Sequence, residues 1–182
     1  DGWDFGPVFS TFGYNDVEGL RLRAGGRTYK SQNDKFRLQG FLAYGFKDNK
    51  FKYGISAKYL LDPKLHWVVE AGNRRDVEQL GASLTNTSDV LGRSLASSAV
   101  LTIGANASLT NINLSSLAFT LEPFRNFEVR LGSTYRTLVS ASDKFSIAYF
   151  EDASQNIISE ETKQLETSII LKYMPGRKTT GY

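Results

Sequence analysis

Between Phe36 and Leu61 the chain reads Phe36-Arg37-Leu38-Gln39-Gly40-Phe41-Leu42-Ala43-Tyr44-Gly45-Phe46, then Lys47-Asp48-Asn49-Lys50, then Phe51-Lys52-Tyr53-Gly54-Ile55-Ser56-Ala57-Lys58-Tyr59-Leu60-Leu61. Every second residue from Phe36 to Phe46 is large and apolar except Gly40, while Arg37, Gln39, Phe41, Ala43 and Gly45 fall between them. After the turn at Lys47–Lys50 the pattern resumes: Phe51, Tyr53, Ile55, Ala57, Tyr59 and Leu61 alternate with Lys52, Gly54, Ser56 and Lys58. Successive side chains of a strand point to opposite faces, so this spacing predicts a β-hairpin with one continuous apolar face.

The same period recurs along the chain. Leu20, Leu22 and Ala24 alternate with Arg21, Arg23 and Gly25; Leu65, Trp67, Val69 and Ala71 with His66, Val68, Glu70 and Gly72. Leu117, Phe119 and Leu121 form a stripe ending at Pro123, and Phe127 to Tyr135 alternate with Glu128 to Arg136. Leu165 to Tyr173 alternate with Glu166 to Lys172. These make seven strands, and the weaker stretch Phe5–Phe12 makes an eighth. In a strand, Gly25-Gly26 beside Arg27 reads as a bulge or tight bend rather than an anion nest.

The connections at Lys30–Lys35, Lys47–Lys50, Asp62-Pro63-Lys64 and Phe124-Arg125-Asn126 are short. Those at about 74–107 and 141–164 are long. In an antiparallel meander alternate links fall on opposite ends, so both long loops share one end. Outer-membrane barrels have that asymmetry.

Composition narrows the class. With 182 residues the chain suits one domain, and without Cys it has no disulfide framework, thiolate metal site or cysteine nucleophile. A net charge of +3 is too small and too evenly spread to point to nucleic acid. The mean hydropathy is −0.31 and no apolar run is long enough for a transmembrane helix. Alternating barrel strands escape that exclusion, because their two faces average to a polar composition.

An apolar face can look at a core or at lipid, and alternation alone fits either. The strand segments are long for a soluble sheet, and aromatics gather near strand ends and turns: Tyr29, Phe36, Phe46, Phe51, Tyr59, Trp67, Phe124 and Phe127. Barrel girdles place amphipathic rings there. The opposite face carries Arg21, Arg23, Arg27, Arg37, Lys52, Lys58, Arg130, Arg136 and Lys172 against only Glu70, Glu128 and Glu166. Arg21, Arg23, Arg37, Lys52, Lys58, Arg130, Arg136 and Lys172 are the candidate lumen-facing residues. They would either attract anions or form a structural Arg–Glu ladder across neighbouring strands.

Catalytic motifs are absent. His66 is the only histidine, and its place on an alternating strand suits a structural role. No His-pair metal site, GxSxG elbow or phosphate loop is present. Neither a catalytic residue, a metal nor a cofactor is expected. Asn86 or Ser88, with Val90, Leu91 and Leu95, hints at one helical turn in the first long link, though a surface loop is the simpler expectation.

Several stretches together resemble the outer-membrane β-barrel proteins of unknown function of the Bacteroidota, whose full-length members carry an N-terminal carboxypeptidase-regulatory-like domain. They are Gly6-Pro7-Val8-Phe9, Tyr14-Asn15-Asp16-Val17-Glu18-Gly19-Leu20-Arg21-Leu22, Gly25-Gly26-Arg27-Thr28, Ala43 to Asp48 with Phe51 to Gly54, Arg75-Asp76-Val77-Glu78-Gln79-Leu80-Gly81, and Glu166 to Gly176. Arg75 stands where the family often has His. The resemblance implies an antiparallel up-and-down transmembrane β-barrel in the bacterial outer membrane, and supplies no catalytic residue. Residues 1–182 are then a segment of one larger barrel domain with about seven or eight of its strands. The abrupt start and the non-alternating end at Pro175–Tyr182 agree with that expectation.

The expected function is therefore non-enzymatic: a pore, receptor or envelope-assembly component. Its partners would be the lipid bilayer and either other outer-membrane proteins or the remainder of its own chain, with no nucleic acid. Two alternatives remain open. One is a soluble small β-barrel that binds an apolar ligand. The other is a structural subunit of a larger outer-membrane complex, its lumen filled by another chain.

Overall fold

The computed structural model describes residues 2–5, 12–29, 35–79, 109–141, 146–152, 154 and 157–175. All of the regular structure within them is β. In chain order the strands are β1 (Gly2–Phe5), β2 (Phe12–Asn15), β3 (Gly19–Tyr29), β4 (Phe36–Gly45), β5 (Lys50–Asp62), β6 (Trp67–Gln79), β7 (Leu109–Phe124), β8 (Phe127–Ser140), β9 (Tyr149–Asp152), β10 (Ile157–Ser159) and β11 (Glu161–Tyr173). The seven strands expected from alternation are β3 to β8 and β11. Phe5 and Phe12 fall in two short strands, β1 and β2.

Nine strands form one antiparallel sheet in the order β1-β3-β4-β5-β6-β7-β8-β11. The ninth, β2, shares an edge of β3 with β1: Phe12–Asn15 lie against Leu22–Gly19, and Gly2–Phe5 against Tyr29–Gly26. The pair β9–β10 forms a separate ribbon. Among the described residues β11 pairs only with β8, and β1 and β2 only with β3, so the sheet is open where a closed barrel was expected. Period-two alternation specifies which side chains share a face. Closure requires the backbone donors and acceptors of two distant edges to meet, which no local pattern encodes.

The short links are tight turns. Asn15 and Gly19 face each other across Asp16-Val17-Glu18, where Asn15 Oδ1 accepts from the amides of Val17 (3.0 Å) and Glu18 (2.7 Å). Gly19 closes this turn at φ +64°, a left-handed conformation that glycine adopts without penalty. The other turns place Asn49, His66 and Asn126 at positive φ. His66 thus sits in the β5–β6 turn rather than on the strand, with Nδ1 3.1 Å from Glu122.

Two expectations change here. Gly25 and Gly26 lie in unbroken register against Phe41 and Gly40, so they form no bulge. A Cβ on Gly25 would stand 2.8 Å from the Gly40 carbonyl oxygen and from Phe41 Cβ, and close strand approach is what they permit. Strand β6 also continues to Gln79, past the expected start of the long link near 74, and β11 opens at Glu161 rather than after Gln164. The apolar stripe fades in β6, but Glu70, Arg74, Asp76 and Glu78 keep the period on the other face. The proposed helical turn at Asn86–Leu95 and most of the 74–107 link lie outside the described residues.

Burial is inverted relative to a water-soluble sheet. Leu42 (53%), Phe51 (64%), Ile55, Tyr59, Leu117, Leu131, Leu165 (72%), Ile169 and Leu171 are exposed. On the opposite face Arg21, Lys52, Glu70, Arg74, Asp76, Glu78 and Arg136 are all at least 95% buried. They can be buried because the sheet curls towards its charged face. Arg21 on β3 bonds Asp76 on β6, three strands away, and neighbouring strands in a flat sheet stand about 4.8 Å apart.

Candidate functional site

The charged concave face holds the candidate site, and it is assembled from two clusters and a ladder. At the end of the sheet where β2–β3 and β4–β5 turn, the Arg21 guanidinium lies 3.1 Å from Glu18 and 2.8 Å from Asp76. Lys52 Nζ lies 2.9 Å from Glu18 and also pairs with Asp48. Glu18 is fully buried between these two cations and accepts from Asn15 Nδ2 as well. Beneath it lies Gly45, where a Cβ would stand 2.9 Å from Glu18 Cβ and 3.0 Å from Lys52 Nζ and would also collide with Asp48. The absent side chain makes room for the cluster. Beside it, Arg74 pairs with Glu78 along the same strand at 2.5 Å.

The ladder runs across β5, β6 and β8. Glu70, 2% exposed, is bracketed by Lys58 at 3.3 Å and Arg130 at 3.2 Å, and Arg130 also donates to Thr120 Oγ1. One step on, Arg136 pairs with Glu166 on β11. Arg23 stands 4.0 Å over the Phe41 ring, a cation–π contact. That ring lies between Gly25 and Gly54 in the register, and their missing side chains leave it space.

The structure therefore brings Arg21, Lys52, Lys58, Arg130 and Arg136 into ion pairs and sets Arg23 on an aromatic face. Arg37 and Lys172 are exposed, opposite Lys58 and Glu128 respectively. Sequence reasoning missed four acids of this face: Glu18, Asp48, Asp76 and Glu78. Two lie in turns, and two lie in the part of β6 assigned to a loop. With them, and with Arg74 also added to the face, the basic surplus narrows, and the buried part of the face is one of paired charges. Among the described residues, Nε and Nη2 of Arg21, Nε of Arg74, Oγ of Ser56 and Oε1 of Glu70 find no hydrogen-bond partner.

The charged face also carries an apolar island. Ile112, Leu114 and Leu138 are buried together at the long-link end, and Ile147, beyond β8, packs on them. Ile147, in the second long link, thus lies over the concave face. Among the described residues no group of three or more His, Asp and Glu has the arrangement to hold a metal ion, and no helix is long and apolar enough to cross a membrane.

A curled antiparallel sheet, paired charges inside and apolar side chains outside, defines the class of protein. Residues 1–98 match the model of the C-terminal domain of a family of unknown function, DUF5686. The match covers more than half of the 182 residues, and the chain belongs to that family. The phylum and the additional N-terminal domain of the resemblance form no part of this match. No curated protein and no solved structure matches the chain.

Proposed function

We propose that this sheet is wall of a transmembrane β-barrel in a bacterial outer membrane, with its charged face towards a polar lumen and its apolar face in lipid. The observation that carries this is the inverted burial. Removing apolar side chains from water is worth roughly 25 cal/mol per Å², yet this fold leaves its long apolar stripes exposed and buries arginine, lysine and glutamate. Exposed apolar patches beyond a few hundred Å² mark a surface meant for something other than water. Strand length supports the same reading. At about 3.3 Å per residue, 13-residue strands such as β5, β6 and β11 reach about 43 Å, and a tilt of about 45° makes that about 30 Å of depth, the hydrocarbon thickness.

The paired charges of the concave face support a structural lining more than an anion-attracting one. Glu70 and Glu166 each answer an arginine, and Glu18 answers two cations. A soluble barrel around an apolar ligand finds no support here, because the apolar stripe faces away from the concavity. Closing the wall requires strands paired along β11 and along β1–β2, from this or another chain.

Partition tests the membrane assignment. The chain is expected to fold only with detergent or lipid and to stay with vesicles through a carbonate wash. A stable monomer in plain buffer would overturn it. In planar bilayers any conductance is expected to be without strong anion preference, and marked anion selectivity would restore the basic-lumen alternative.

A further inference from the structure

The long-link margin of the apolar face is built in two ways. On β4 and β5 it ends in rings: Tyr44, Phe46 and Phe51 lie together, with centroids 5.3 Å apart for Tyr44–Phe46 and 4.8 Å apart for Tyr44–Phe51. Across β6, β7, β8 and β11 it ends in polar groups instead. Arg75, Asn113, Thr137 and Lys163 form one outward row from strand to strand, each near the long-link end of its strand. In the next row Asn73 faces Ser115. Asn73 Nδ2 donates to Ser115 Oγ at 2.9 Å and to Asn113 Oδ1 at 3.3 Å. With those two oxygens engaged, the Ser115 hydroxyl and the Asn113 amide present donors to whatever lies on the face. Arg75 and Lys163 are exposed at the two ends of the row. The residues between them, Asn113 and Thr137, carry no charge, and Glu161 stands at the margin, 3.9 Å from Lys163.

We propose, resting on the membrane assignment above, that this polar inlay docks the headgroup of a phosphorylated glycolipid. Cations on a lipid-facing surface lose solvating water, and anionic headgroups are the counter-charge that a bilayer supplies. The two cations stand three strand steps apart. At about 4.8 Å per step that is about 14 Å, so a single phosphate does not reach both. A saccharide headgroup phosphorylated at both ends does. One phosphate pairs with the Arg75 guanidinium through parallel N–H donors, and the other pairs with the Lys163 ammonium. Between them Asn113, Ser115 and Thr137 offer donors and acceptors to sugar hydroxyls. A phospholipid with one phosphate satisfies one cation and leaves those groups without sugar. The rings of β4 and β5 carry no such set and act as an interfacial girdle.

Native mass spectrometry of the full chain, refolded in detergent micelles, tests the site. The micelles carry a disaccharide lipid with two phosphates, the same lipid with both phosphates removed, or phosphatidylglycerol. The chain is expected to retain the bisphosphorylated lipid and to need about tenfold more of either other lipid for the same occupancy. Arg75→Gln and Lys163→Gln, both at exposed positions, are each expected to weaken retention about fivefold. Lys64→Gln, in the β5–β6 turn at the opposite end, should leave it unchanged. Equal retention of the dephosphorylated lipid by the native chain, or native retention by the Arg75→Gln/Lys163→Gln double variant, would overturn the site. Phosphatidylglycerol held as tightly would overturn the glycolipid assignment. In each of these cases a chain that folds only in micelles keeps its membrane assignment. A chain that folds in plain buffer and holds none of the three lipids would overturn both.

Discussion

Glu18 shows how much the site depends on single atoms. It is fully buried and is held by Arg21, Lys52 and Asn15, and the space it occupies exists because residue 45 has no side chain. Gly45→Ala is therefore expected to destabilise the fold by about 1–3 kcal/mol through overpacking against Glu18 and Lys52, as read by urea unfolding in detergent micelles. Exposure sets a contrast within the ladder. Glu70→Gln leaves Arg130 facing a neutral group in a buried setting and is expected to cost about 3 kcal/mol. Lys58→Met, at a side chain 40% exposed, is expected to cost under about 1 kcal/mol. Equal effects of the two would argue against a buried ladder centred on Glu70. The eight basic residues of the site were visible in the sequence because they alternate with apolar ones. Their acids were less so: Asp76 meets Arg21 across 55 positions, and Glu18 and Asp48 act from turns.

At the scale of elements, alternation located every long strand because backbone pleating forces it, and the turn residues Asn15, Gly19, Asn49 and Asn126 punctuate the strands for local conformational reasons. Strand ends were less legible. In β6 the outward face turns polar at Asn73 and Arg75, so an apolar criterion stops there, while pairing with β7 continues to Gln79. Leu42, exposed in the middle of β4, tests the outward face of an element. Leu42→Arg is expected to cost about 2–4 kcal/mol of stability in lipid, and no measurable change would place that face elsewhere. The link after β8 makes a second prediction. Ile147→Asp puts a carboxylate against Ile112, Leu114 and Leu138, and is expected to free the link. Limited proteolysis between residues 141 and 160 should then accelerate severalfold with the sheet intact, and unchanged cleavage would mean that Ile147 does not anchor it.

For the whole molecule, the curl is a property of the strands taken together, since it brings Arg21 on β3 to Asp76 on β6. What the sequence determined alone is local and periodic: an all-β chain, seven long strands, their order in a meander, and two faces of opposite character. Each follows from side chains alternating along a pleated backbone. Only the tertiary structure decided that the sheet curls towards its charges, that acids from turns and from the far end of β6 pair with the basic face, that Ile147 packs onto that face, and that the sheet is open among the described residues. These depend on residues far apart in the chain coming within hydrogen-bonding distance. Such contacts leave no periodic trace, because the curvature that creates them accumulates by a small twist at every strand pair.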